Sequence, residues 1–75
     1  NLDIDSLFKY LMTIYSNKKI NTIDGLKIDF EDSWVQIRKS NTEPIIRVYT
    51  EASDQKKAKS LSKTFIELIK VFTKN

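Results

Sequence analysis

The sequence predicts an α+β fold: a small antiparallel sheet of about four strands with helices packed on one face. Apolar residues recur at helical spacing near both ends of the chain. Between them lie short runs of alternating apolar and polar residues, separated by turn residues. The order of helix, consecutive strands, helix is that of a layered α+β domain.

Asp3 to Ser16 reads as the first helix, because Ile4, Leu7, Phe8, Leu11 and Tyr15 share one face and Asp3 or Asp5 can serve as N-cap. Asn17-Lys18-Lys19 ends it with a cationic turn suited to the negative end of the helix dipole. Ile20 to Ile23 is a short extended piece, and Asp24-Gly25 is the strongest hairpin signal in the chain. Leu26, Ile28 and Phe30 alternate with Lys27, Asp29 and Glu31, which predicts a half-buried strand. Glu31-Asp32-Ser33 makes a turn, and Trp34 to Arg38 and Ile45 to Glu51 are further strands. Asp54 caps a long C-terminal helix whose apolar stripe is Ala58, Leu61, Phe65, Leu68, Ile69 and Phe72, with lysines over the rest. The helical aromatics Phe8, Tyr15, Phe65 and Phe72 belong to the core, and Trp34 covers a sheet edge or faces a neighbouring domain. There is no internal repeat, linker or low-complexity segment.

Strand parity assigns the faces. If Val35, Ile37, Ile46 and Val48 meet the helices, then Trp34, Gln36, Arg38, Arg47 and Tyr49 share the other face. Arg38 and Arg47 then both lie near the base of the loop that joins their strands.

Composition excludes several functions. With no cysteine there is no disulfide framework and no thiolate chemistry, so a reducing, cytoplasmic setting is expected. With no histidine either, the commonest general base is missing and a zinc site is not expected. No apolar run approaches the roughly 18 residues that span a bilayer. Seventy-five residues make one small domain, which has no room for an enclosed active site with its own walls. The chain opens on Asn rather than Met, so it is expected to be a segment of a longer protein. The net charge of +3 comes from lysine, and among thirteen basic residues only Arg38 and Arg47 are arginine. Two arginines in a lysine-using chain ask for a geometric reason, since only arginine offers a planar fork of donors.

That reason lies in Arg38-Lys39-Ser40-Asn41-Thr42-Glu43-Pro44-Ile45-Ile46-Arg47. The loop is longer than most hairpin connections and carries two hydroxyls, one amide and turn-exposed backbone N–H groups, with an arginine on each side. Converging donors of this kind form a concave anion site suited to a phosphate dianion. The plainer alternative is a polar turn, with the arginines paired to Glu43 and Glu51 on the surface.

Asp24-Gly25-Leu26-Lys27-Ile28, Trp34-Val35 and the run from Arg38 to Ala52 resemble the C-terminal, fourth domain of the α-D-phosphohexomutases. This superfamily includes phosphoglucomutase, phosphomannomutase and phosphoglucosamine mutase. The pattern R-x-S-[NG]-T-E-P-x-x-R with a trailing E-A is long and specific. The resemblance implies a TATA-box-binding-protein-like sheet and a role as the phosphate-binding domain, residues 1–75, of a larger mutase that interconverts hexose 1-phosphate and 6-phosphate. It implies that Arg38, Ser40, Asn41 and Thr42 contact the substrate phosphate that is not being transferred, with Arg47 in support. The catalytic serine, the Mg²⁺ ligands and the sugar-reading loop would lie in the other domains of the same enzyme, so this segment alone should be inactive and hold no cofactor. Lys39 departs from the family, where many members have proline. Asn41, where some members have glycine, leans toward a phosphomannomutase or phosphoglucomutase over a phosphoglucosamine mutase.

A non-enzymatic sheet module that binds nucleic acid or protein is the main rival. Trp34 and Tyr49 on the open face favour it, but Asp29, Glu31 and Glu51 interrupt any basic stripe and most lysines sit on helices. Neither a nucleic acid nor a membrane is therefore an expected partner.

Overall fold

The computed structural model describes residues 3–40 and 45–74. Helix α1 (Ile4–Ile14) is followed by strands β1 (Lys19–Asn21), β2 (Leu26–Asp29), β3 (Trp34–Lys39) and β4 (Ile46–Glu51), and by helix α2 (Gln55–Lys74). The strands form one antiparallel sheet in chain order, β1-β2-β3-β4. This is the α+β architecture read from the sequence.

Caps define both helix starts. Asp3, rather than Asp5, is the N-cap of α1, its carboxylate accepting from the Ser6 N–H at 3.3 Å and the Ser6 hydroxyl at 2.7 Å. The Ser6 bonds favour the charged carboxylate and hold the Asp3 pKa below its ordinary value. Asp54 accepts from the Lys57 N–H at 2.8 Å and opens α2 as expected.

One face of the sheet is apolar. Leu26, Ile28, Val35 and Ile37 meet Leu7 and Leu11 of α1 and Phe65 of α2, and all seven side chains are fully buried. Each such burial contributes roughly 1.5–3 kcal/mol. Tyr15 stacks on Phe65 with ring centroids 5.1 Å apart and meets Phe30 edge-on at 5.6 Å, while Tyr10 and Phe72 join the two helices at 5.2 Å. At the sheet's margin the Thr50 hydroxyl donates to the Ala58 carbonyl oxygen at 3.0 Å, tying β4 to α2.

Three local expectations need correction. The extended piece at Ile20–Ile23 stops two residues early, at Asn21, which pairs with Lys27. Asn21 Oδ1 accepts the Ile23 N–H at 2.8 Å, a local bond that competes with the ladder. Continuing the register leaves Ile23, Asp24 and Gly25 as a three-residue loop, with Gly25 in the left-handed region at φ +73°. Phe30 lies just beyond β2, where its N–H donates to the Ser33 carbonyl oxygen at 2.8 Å, yet it still packs on the core. Trp34 sits on β3, an interior strand, so it does not cover a sheet edge.

Candidate anion site at the β3–β4 hairpin

The register of β3 and β4 places Arg38 directly opposite Arg47. The same register pairs Ile37 with Val48 and Gln36 with Tyr49, so both arginines occupy positions on the face that the helices leave open. Strand parity in the sequence gives the same faces. Like charges directly opposite in a sheet are destabilising.

The two ends of the open face differ in charge balance. At the far end the Trp34 indole N–H donates to Glu51 Oε2 at 3.1 Å, Lys27 Nζ sits 4.9 Å from the Trp34 ring centroid, and Lys27 pairs with Asp29 at 3.8 Å. That end is compensated internally. At the loop end two arginines meet one carboxylate, Asp24, whose Oδ1 lies 3.5 Å from Arg38 Nε. Arg47 has no ion-pair partner among the described residues. The surface pairing with Glu51 offered by the plainer reading is not formed, because Glu51 is engaged by Trp34. Among the described residues, net positive charge therefore concentrates beside the loop.

Ser40 closes the hairpin. Its N–H donates to the Ile45 carbonyl oxygen at 3.1 Å, so this amide belongs to the hairpin rather than to a ligand. The residue is only 9% exposed, the one buried polar side chain among the described residues. Asn41 and Thr42, named from the sequence as phosphate contacts, lie outside the described residues, as do Glu43 and Pro44. Of the five site residues inferred from the sequence, the structure thus brings together Arg38, Ser40 and Arg47.

Lys39 lies on the other side of the sheet. It is paired with Ile46, which packs against the core, so its backbone position faces the helices. At the loop end of the sheet, however, Lys39, Arg38 and Asp24 border one shallow groove with Asp5 of α1.

Sequence reasoning missed Asp24. The dipeptide Asp24-Gly25 reads as a turn, and nothing in its local pattern announces a carboxylate beside Arg38, two strands along the sheet. Trp34 does not behave as a free stacking platform either, since Lys27 already covers its ring.

A small α+β domain with two arginines opposed at a hairpin base is thus the class the structure defines. Residues 3–68 match the family described as phosphoglucomutase/phosphomannomutase, C-terminal domain. The chain belongs to this family. It is 49% identical over 51 residues to a phosphoglucomutase/phosphomannomutase of Thermococcus kodakarensis, covering 68% of this chain and 11% of that protein. It is 42% identical over 62 residues to a phosphoglucosamine/phosphogalactosamine mutase of Sulfurisphaera tokodaii, covering 80% and 14%. A phosphoglucosamine mutase of Methanocaldococcus jannaschii is 49% identical over 49 residues, covering 65% and 11%. The match therefore spans roughly a ninth to a seventh of each relative's length. Among the described residues no helix is long and apolar enough to cross a membrane.

Proposed function

We propose that this chain is the substrate-phosphate-binding domain of a phosphosugar mutase that interconverts hexose 1-phosphate and hexose 6-phosphate. The observation that carries the reading is the Arg38–Arg47 pair, set face to face on the open side of the sheet at the base of the 40–45 loop. Arg38 supplies the planar fork that matches a phosphate, and Arg47 adds charge and supports the loop. Ser40, Asn41 and Thr42 complete the donor set.

In this reading the domain grips the phosphate that is not reacting. A bisphosphorylated sugar must turn around between two transfers, so each phosphate occupies the anion site in turn. Binding energy spent at the remote phosphate positions the other for in-line transfer. Closure of the domain over the cleft excludes water that would otherwise hydrolyse the phosphoenzyme. The transferring serine and a Mg²⁺ ion that would stabilise charge on the moving phosphoryl group belong to other domains of the same enzyme. Among the described residues no three acidic side chains converge as metal ligands, and every role assigned to this chain is binding and orientation. The isolated chain is accordingly expected to be inactive, and the parent enzyme to work in the cytoplasm. Names among the relatives support both phosphoglucomutase/phosphomannomutase and phosphoglucosamine mutase activity, and Asn41 favours the former.

The test is titration of the ¹⁵N-labelled chain with inorganic phosphate, followed by amide and arginine side-chain resonances. Saturable shifts centred on Ser40, Asn41, Thr42 and the two arginines support the site. Affinity should be millimolar or weaker, on the order of 4 kcal/mol, because the sugar contacts are missing. Shifts confined to the lysines of α2 would refute it.

A further inference from the structure

We propose that Asp24 is a positioning residue for Arg38: the β1–β2 turn holds a carboxylate against the guanidinium Nε and leaves both Nη groups for an incoming phosphate. This inference rests on the phosphate-site reading above and adds a residue to it.

Three contacts make the turn a fixture of β3. Gln36 Nε2 donates to the Asp24 carbonyl oxygen at 2.8 Å, anchoring the turn's backbone to the open face of the sheet. Gly25, at φ +73°, lies so close to β3 that a Cβ there would collide with the Ile37 carbonyl oxygen and sit 3.2 Å from Arg38 Cγ. The Asp24 carboxylate then stands 3.5 Å from Arg38 Nε. The first two contacts involve no charge, so the backbone that carries Asp24 is held against β3 independently of the Arg38 guanidinium.

The geometry suits a divided guanidinium. Arginine carries five N–H donors in a fixed fork, and an ion pair on the Nε side leaves the terminal pair free for bidentate binding of phosphate. Prefixing a long side chain saves up to roughly tenfold in affinity. The same carboxylate repels a phosphate on the far side of the fork. Both side chains are solvent-exposed, and in bulk-water dielectric, at an ionic strength of about 0.15 M and a separation of about 7 Å, that repulsion is about twofold.

The chain has only two arginines, so their Nε–Hε resonances are resolved and can be assigned with Arg38→Lys. In the wild-type chain the Arg38 Nε–H should exchange with water several-fold more slowly than that of free arginine at the same pH. Exchange at the free rate overturns the proposal. With inorganic phosphate as probe at about 0.15 M ionic strength, Asp24→Asn should bind at least twofold more weakly than wild type while its amide spectrum stays folded. Unchanged or tighter binding overturns the positioning role and leaves the phosphate site standing, provided Arg38→Lys still loses affinity. If wild type shows no saturable binding, or Arg38→Lys binds as well as wild type, the site itself fails and this proposal with it. Should Asp24→Asn unfold, Asp24→Glu takes its place. Restoring the charge one methylene away should recover part of the affinity, and a loss equal to that of Arg38→Lys overturns the proposal.

Discussion

Arg38 and Arg47 are cross-strand partners, two permanent cations directly opposed on the open face of a sheet whose other face carries the apolar core. Nothing in the fold requires this. The apolar face is complete without them, and Asp24 stands beside only one of the two among the described residues. A pairing that opposes folding beside a hydroxyl-bearing loop is the feature on which the proposed phosphate site rests.

The first expected outcome concerns Arg38 in a full-length mutase carrying this domain. An ammonium keeps the charge of a guanidinium but not its fork, so Arg38→Lys should lower kcat/KM by about 10- to 150-fold, the loss of one charge-assisted contact of about 1.5–3 kcal/mol. The thermal midpoint should hardly move, because Arg38 is exposed and its ion pair with Asp24 lies in solvent. Paired measurements of kcat/KM and Tm check this. Activity that falls only in step with stability would mean that Arg38 has no part in the clamp.

Gly25→Ala should be among the most damaging single-methyl changes in the chain. A positive φ alone strains a non-glycine residue by about 1–3 kcal/mol, and here the new Cβ would also press on the Ile37 carbonyl oxygen. For a domain of this size that lowers Tm by roughly 5–20 °C. Thermal unfolding followed by circular dichroism measures it. A shift of only a degree or two would mean that the turn relaxes freely, and the close approach to β3 would lose its significance.

Gly25 also marks where the sequence was and was not legible. Its neighbour pair Asp24-Gly25 announced a turn correctly, since glycine's freedom at positive φ is a local property. Which residues that turn touches is not local: the Gln36 and Arg38 contacts depend on three strands lying side by side. The faces of Arg38 and Arg47 were readable because parity propagates without error along β3 and β4, where no bulge intervenes. The end of β1 was not, because Asn21 diverts the Ile23 N–H into a side-chain bond that has no periodic signature. Lys39 was visible as a departure from the family's pattern, but its place on the helix side needed the register with Ile46.

Phe65 is the one fully buried residue of α2, and Tyr15 and Phe30 pack their rings on it. Phe65→Ala should cost about 3–5 kcal/mol. A chain of this length is expected to be stable by only about 4–11 kcal/mol, so the variant should be partly or wholly unfolded at 37 °C. Urea denaturation of wild type and variant checks the difference. Phe65→Leu, which retains much of the volume, should stay folded.

Tyr15 gives the domain an alkaline sensitivity. Burial raises its phenol pKa above the ordinary value, because a phenolate loses solvation among Phe30 and Phe65. The folded state therefore holds its proton more tightly than the unfolded chain. That contribution is fully present below the unfolded pKa of about 10 and is lost as pH rises through the folded one. Stability measured by urea from pH 8 to 11 should fall more steeply for wild type than for Tyr15→Phe, which has no proton to lose. Identical slopes would show that the ring is solvated in the folded state.

The opposed arginines lead to a last outcome, in which stability and binding move in opposite directions. Arg47→Glu replaces a repulsive cross-strand pair with an attractive one, and such pairs differ by roughly 0.2–1 kcal/mol each way. The isolated chain should therefore gain stability, with Tm rising by about 2–16 °C. Its affinity for phosphate should fall, because the new carboxylate stands where positive charge is needed. Salt separates this from a packing effect: Arg47 is exposed, and at about 1 M salt the screening length shrinks to about 3 Å. The stability gain should then largely disappear, whereas a gain from better packing would persist. Tm at low and high salt, together with a phosphate titration of each variant, makes the measurement. If Arg47→Glu is destabilising at low salt, the two arginines do not repel one another in the folded chain, and the case for an anion between them falls.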